Sequence, residues 1–252
     1  MMKQSLLYML TILIGAAFPA NAAEKTDTAT VHSTYTFKAK DLILPGALIT
    51  VGATSLFFNP MKELDKSVNK NMTDLRSSHR RMKIDEYLRF APTATNFILH
   101  FAGIKSKYDF TERVMLTATS FATMYILTQG MKHSISKKRP DGSDTHSFPS
   151  GHAATAFLGA ESLRINYGSW WGIAGYTMAT GTAFLRLYNN RHWLGDVIGA
   201  AGIGILSARI GYWLLPWEKR ILGITEKNTS FMVMPTYNSH YAAPGIAFAM
   251  QF

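Results

Sequence analysis

The stretch SFPSGHAATAFLGAESLR, residues 147–164, turns from polar to apolar at Pro149, Ser150, Gly151 and His152. That is how a helix begins: Ser is a good N-cap, and Gly eases the chain into the first turn. A helix start also presents unpaired backbone N–H groups and a positive dipole end, where phosphate binds readily. Alone, the stretch fits an ordinary cap with an incidental histidine as well as it fits an anion site. The decision rests on what the rest of the chain brings to the same place.

Outward from this helix, apolar segments lie at 42–58, 90–104, 114–131, 153–163, 169–185 and 197–217, giving six helices. They are rich in Ala, Gly, Thr and Ser, small residues that let helices approach closely. The stretch from Asn59 to Glu86 is polar and carries Lys62, Lys66, Lys70, Arg76, Arg80, Arg81 and Lys83. A membrane span needs about 20 apolar residues. Only 197–217 approaches that, and it carries Arg209; 153–163 runs into Glu161 and Arg164. The mean hydropathy, +0.01, is low for a fully embedded chain. The final stretch, SFMVMPTYNSHYAAPGIAFAMQF, reads as two short strands. The expected fold is an all-α, membrane-embedded six-helix bundle with a short C-terminal extension of strands; a soluble helical bundle competes with it.

The chain has 252 residues, enough for one sizeable domain, and a net charge of +10. A basic balance fits nucleic acid, anionic lipid or a phosphorylated substrate. No nucleic-acid recognition motif accompanies it, so a nucleic-acid partner is not expected. The absence of cysteine excludes disulfides, thiol catalysis and cysteine metal sites. Lys3, the apolar run Leu6–Phe18 and Ala20-Asn21-Ala22 have the form of a signal peptide with its cleavage site. The expected layout is a signal peptide at 1–22, a polar lead-in at 23–41, a helical domain at 42–217 with its motif core at about 86–217, and an extension at 218–252. If 90–104 does not cross, the basic stretch before it lies on the cytoplasmic side, as positive charge prefers. Everything chemical after Lys132 then faces the exported, periplasmic side of the envelope. The oligomeric state has no counterpart in the sequence.

Three clusters sit at helix ends. Lys132, six residues, then Arg139 and Pro140 follow the third helix. Pro149 to His152 opens the fourth. Arg186, five residues, His192, three residues and Asp196 span the turn between the fifth and sixth. Helices four and five run out and back, so these ends share one pole. Lys132, Arg139 and Arg186 supply three cations, two of them planar forks suited to tetrahedral oxyanions. Ser150, Gly151 and the helix N–H groups add donors. His192 and Asp196, four apart, share a helical face, and a carboxylate there can hold the Nδ1 proton and turn Nε2 toward phosphorus. His152 is a second imidazole for acid–base work. Each piece alone is more often a solvated helix end or a capping pair; together they require independent accidents at one pole.

Lys-x6-Arg-Pro, Pro-Ser-Gly-His and Arg-x5-His-x3-Asp, in this order, resemble the motifs of the type-2 phosphatidic acid phosphatase superfamily. Its members include membrane lipid phosphatases, soluble class A acid phosphatases and vanadium haloperoxidases. The resemblance covers roughly residues 86 to 217, and departs from the family at Leu185, where Ser is usual. It implies His192 as nucleophile, Asp196 as its orienting partner and His152 as the acid for the leaving group. Lys132, Arg139, Ser150, Gly151 and Arg186 would bind phosphate. The expected activity is hydrolysis of an envelope lipid phosphate or diphosphate through a phosphohistidine, with no metal and no cofactor. A dication would be repelled by the cations crowding the site. The alternatives are a soluble exported acid phosphatase, a haloperoxidase, for which the chain is short, and a membrane module that binds phosphate without turnover.

Overall fold

The computed structural model describes residues 36–76 and 81–224, and the backbone of 230–238 and 243–251. The expected signal peptide, 1–22, lies outside the described residues. A 3-10 turn, Ala39–Leu42, leads into α1 (Ile43–Thr54). It is followed by α2 (Asn59–Leu75), α3 (Asp85–Leu88), α4 (Ala91–Phe101) and α5 (Phe110–Ser134). The chain continues through α6 (Gly151–Tyr167), α7 (Ser169–Tyr188) and α8 (Leu194–Ile221) to two strands, β1 (Ser230–Asn238) and β2 (Ala243–Gln251). The strands pair antiparallel, Ser230 opposite Gln251.

Each of the six apolar segments holds a helix, but the described residues contain eight α-helices rather than six. The two additional ones, α2 and α3, arise in the polar stretch. In α2 the buried residues are Met61, Asp65, Val68 and Met72, a narrow stripe at helical spacing among charged neighbours. The last helix also passes the expected boundary at 217, continuing through Pro216 to Ile221.

Local chemistry fixes the helix ends that matter for the site. At the start of α5, Asp109 Oδ1 accepts the Glu112 backbone N–H at 2.7 Å and Glu112 Oε2 accepts that of Asp109 at 3.1 Å. This reciprocal cap satisfies two donors that would otherwise lack partners. Between α6 and α7 a single residue, Gly168, turns the chain at φ 88° and ψ −174°, a region only glycine enters at low cost. The out-and-back pair brings the start of α6 and the end of α7 to the same pole.

The central helix is α8, buried along most of its length from Leu194 to Leu215. It is flanked by α1, α5 and α6, while α7 lies against α6. Glycines permit this. A Cβ on Gly202 would stand 2.6 Å from the Pro45 carbonyl oxygen in α1, and one on Gly204 would stand 2.3 Å from that of Ala154 in α6. Neither neighbour is a flexible side chain, so these backbones are in direct contact. The small residues read from the sequence therefore serve close helix packing.

Candidate active site

The start of α6, the end of α7 and the start of α8 meet as their topology requires, and the loop after α5 closes over them. A one-pair parallel bridge between Lys137 and His146 folds that loop back on itself. The Lys137 N–H donates to the Thr145 carbonyl at 2.8 Å and the Ser147 N–H to that of Lys137 at 2.9 Å. All eight residues expected from the motifs converge here.

His192 is 2 % exposed. Its Nδ1 lies 2.8 Å from the Ser147 carbonyl oxygen. A carbonyl only accepts, so the proton sits on Nδ1 and Nε2 keeps a free lone pair. The sequence reading gave that orienting contact to Asp196. Instead the Asp196 carboxylate is 3.6 Å from Nδ1, beyond hydrogen-bond reach. Four-residue spacing aligns side chains only inside a helix, and His192 precedes α8. Asp196 is held elsewhere: it accepts from Ser147 Oγ at 2.5 Å, the Trp193 N–H at 2.9 Å and Lys137 Nζ at 2.9 Å. Through Ser147 it fixes the residue whose carbonyl holds the imidazole. Burial pushes His192 down to about 4; Asp196 pulls it up, and Arg186 and Lys132 push it down. The imidazole is therefore neutral at pH 7.

The cations surround this ring. Lys132 Nζ donates to the His146 carbonyl at 2.7 Å. Burial, then the neighbouring Arg139, lowers its ammonium to about 8. Arg139 Nε is 2.9 Å from Asp144 Oδ1. Arg186, buried at the end of α7, pairs with Asp85 Oδ2 at 2.5 Å, while its Nε has no partner. Ser150 is fully buried and occupies the N-cap position of α6, but its side chain makes no capping hydrogen bond. Its Oγ has no partner at all. The simple cap reading of this serine is thus corrected: the hydroxyl is a buried donor left open. Beside it, a Cβ on Gly151 would meet nothing within 4 Å, so open space lies next to the first turn of α6. An orphaned hydroxyl, an orphaned guanidinium N–H and free helix-start amides are what a tetrahedral oxyanion needs.

His152 Nε2 is 2.8 Å from Glu86 Oε2. Burial, followed by Arg186, lowers this imidazole from its ordinary value, and Glu86 works against them. A carboxylate acceptor requires a proton on Nε2, the nitrogen from which the imidazolium would donate.

The motifs missed several residues. Asp85 and Glu86 come from α3, placed by a two-way clamp in which Asn189 Nδ2 donates to the Met82 carbonyl and the Met82 N–H donates to Asn189 Oδ1, both at 2.9 Å. Lys137 Nζ joins Ser55 Oγ of the α1 end, Asp65 Oδ2 of α2 and Asp196 at 2.9–3.0 Å. Asp65 Oδ1 in turn accepts the Gly195 N–H at 2.8 Å. These lie in charged stretches that look like solvated faces; only the Lys137 position, inside the first motif's variable spacer, sits near a recognisable signal.

Known proteins resemble this chain at the same place. Residues 113–220 match the model of the PAP2 superfamily. A lipid A 1-phosphatase of Porphyromonas gingivalis is 32% identical over 224 residues, which are 83% of this chain and 48% of that protein. The chain spans about half the length of this curated relative. The crystal structure of a transmembrane PAP2 type phosphatidylglycerolphosphate phosphatase from Bacillus subtilis aligns with a TM-score of 0.48 and 20% identity, covering 73% of this chain and 98% of that one. The residues that match the PAP2 superfamily model, 113–220, hold all eight motif residues.

Proposed function

We propose that the protein is a metal-independent phosphatase acting on an envelope lipid phosphate. The observation that carries this reading is the free Nε2 of a neutral, buried His192 among Lys132, Arg139, Arg186 and the unpartnered Ser150 hydroxyl. A site that only binds phosphate has no use for an aimed nucleophile. Nε2 attacks phosphorus in line, the bond to the leaving oxygen breaks, and that oxygen takes its electron pair and the Nε2 proton of the His152 imidazolium, which is left as a neutral imidazole. The cations stabilise charge on the equatorial oxygens. Water then attacks the phosphohistidine, gives a proton back to His152 and releases phosphate.

The lipid is the less determined half. The curated relative's name supports a lipid A phosphate; phosphatidate, phosphatidylglycerol phosphate and polyprenyl diphosphate share its chemistry. Exposed Tyr125 and Ile126 on α5 and Trp217 and Ile221 on α8 give the surface an apolar face suited to a lipid tail and a membrane. Export with cleavage near Ala22, and an active site facing the periplasm, complete the proposal. A soluble exported acid phosphatase is the second reading. It is favoured by one observation: among the described residues a single helix, Leu194–Ile221, is long and apolar enough to cross a membrane, and 78% of its apolar window is buried.

Assay of the purified protein against lipid phosphates with different headgroups tests the reading. Turnover should survive EDTA and be blocked by vanadate, which mimics the trigonal-bipyramidal transfer state. Activity lost on chelation and restored by zinc or magnesium would refute the metal-free mechanism.

A further inference from the structure

Glu86 has no part in the eight-residue constellation and lies outside the residues matched to the superfamily. Its position is nevertheless specific. Its Oε2 sits 2.8 Å from His152 Nε2, the atom that must protonate the leaving group, and its Oε1 is 3.8 Å from Arg186 Nη1. Asp85, the preceding residue, already pairs with that guanidinium at 2.5 Å. The Glu86 charge is thus only partly balanced, by Arg186 and by Arg89, whose Nη2 stands 4.0 Å from Oε2. Its side chain is 51% exposed, on the open side of the site.

When a substrate binds, the His152 Nε2–H must turn from Glu86 to the ester oxygen. Glu86 is then left beside the leaving group with its negative charge. The cost depends on what departs. An alcohol or sugar oxygen leaves as a neutral hydroxyl once protonated. The inner phosphate of a diphosphate leaves as an anion, and like charges at this range repel. Such a leaving group also has little use for the proton His152 supplies, because phosphate is already stable as an anion.

Resting on the phosphatase reading above, we infer that Glu86 is a specificity residue: it biases the site toward phosphomonoesters with uncharged leaving groups and against diphosphates. Of the lipid classes compatible with the constellation, this favours phosphate on a glycerol or sugar oxygen over polyprenyl diphosphate.

Glu86→Gln tests this, since the amide keeps the shape and an oxygen that accepts from His152 but removes the charge. Two ratios are read in wild type and variant, with circular dichroism confirming the fold. The first is kcat/KM for phosphatidate over farnesyl diphosphate. The second is affinity for orthophosphate over methylenediphosphonate, a diphosphate analogue that cannot be hydrolysed, measured by calorimetry. Both ratios should fall about tenfold in the variant, the size of a partly screened charge–charge contact. Both unchanged, with rates and affinities reduced in parallel, would show that Glu86 only supports the fold and overturn the inference. A shifted affinity ratio without turnover of either substrate would support the charge bias and refute the phosphatase reading instead.

Discussion

The two histidines carry different burdens at the residue scale, and a pair of substrates separates them. His192→Ala should abolish turnover of both an alkyl phosphate and p-nitrophenyl phosphate, because no other side chain at the pole is placed to attack. His152→Ala should lose about 10²–10⁴-fold on the alkyl phosphate, the usual worth of general acid–base assistance. It should recover most of that on p-nitrophenyl phosphate, whose leaving group needs no proton. Equal losses on both substrates would remove His152 from the acid role. Lys132 gives the alkaline limit. Its ammonium, lowered to about 8, is charged below that pH and neutral above it, so phosphate affinity falls as pH rises through 8. With p-nitrophenyl phosphate, kcat/KM should therefore decline above about pH 8. A guanidinium stays charged throughout, so Lys132→Arg should shift this limb upward; a limb left in place would assign it to another group. His192, held down to about 4, is neutral down to that pH and leaves activity intact at pH 5.

Between elements, the buried charges act as fasteners rather than as isolated pairs. Lys137 ties the end of α1, the middle of α2 and the start of α8 at one nitrogen, while Asp65 reaches across to the Gly195 N–H. Removing the cation leaves two buried carboxylates, Asp65 and Asp196, facing each other unpaired. Breaking a buried pair in this way costs about 3–5 kcal/mol. Lys137→Met should lower the thermal unfolding midpoint of the purified protein markedly, and adding Asp65→Asn should restore part of the loss. A midpoint unchanged by the single substitution would show that the cluster contributes nothing net. Since Asp196 fixes Ser147, and Ser147 fixes His192, this fastener links bundle stability to the aim of the nucleophile.

On the scale of the whole molecule, charges within and beside the apolar segments find partners in the interior. Glu161 is fully buried and accepts from Arg164 at 2.7 and 2.9 Å, from Arg209 at 2.6 Å and from the Tyr176 hydroxyl at 2.7 Å. Arg113, also buried, donates to the Asn96 carbonyl at 2.9 Å and to the Tyr167 hydroxyl at 2.8 Å. Hydropathy counts such residues against a membrane, but paired in the interior they never meet lipid. The outer surface instead shows Tyr125, Ile126, Trp170 and Trp217. The protein should accordingly stay with the membrane fraction through an alkaline carbonate wash and need detergent for release. Release in carbonate would favour the soluble reading.

The sequence by itself determined the six apolar helices, the shared pole and the eight residues gathered there, because helical periodicity and motif spacing are local and the out-and-back turn at Gly168 leaves little freedom. It could not show α2, whose stripe of Met61, Val68 and Met72 is thin among charges, or the short α3 that delivers Asp85 and Glu86. It gave the Nδ1 of His192 to Asp196, where the Ser147 carbonyl stands nearer, and it could not show that the Ser150 hydroxyl, assigned to phosphate, makes no capping bond. These were decided by tertiary structure alone. Which acceptor a ring nitrogen meets, and whether a buried hydroxyl finds a partner, depends on distances of a few tenths of an ångström between segments remote in the chain, and no spacing along one segment encodes them.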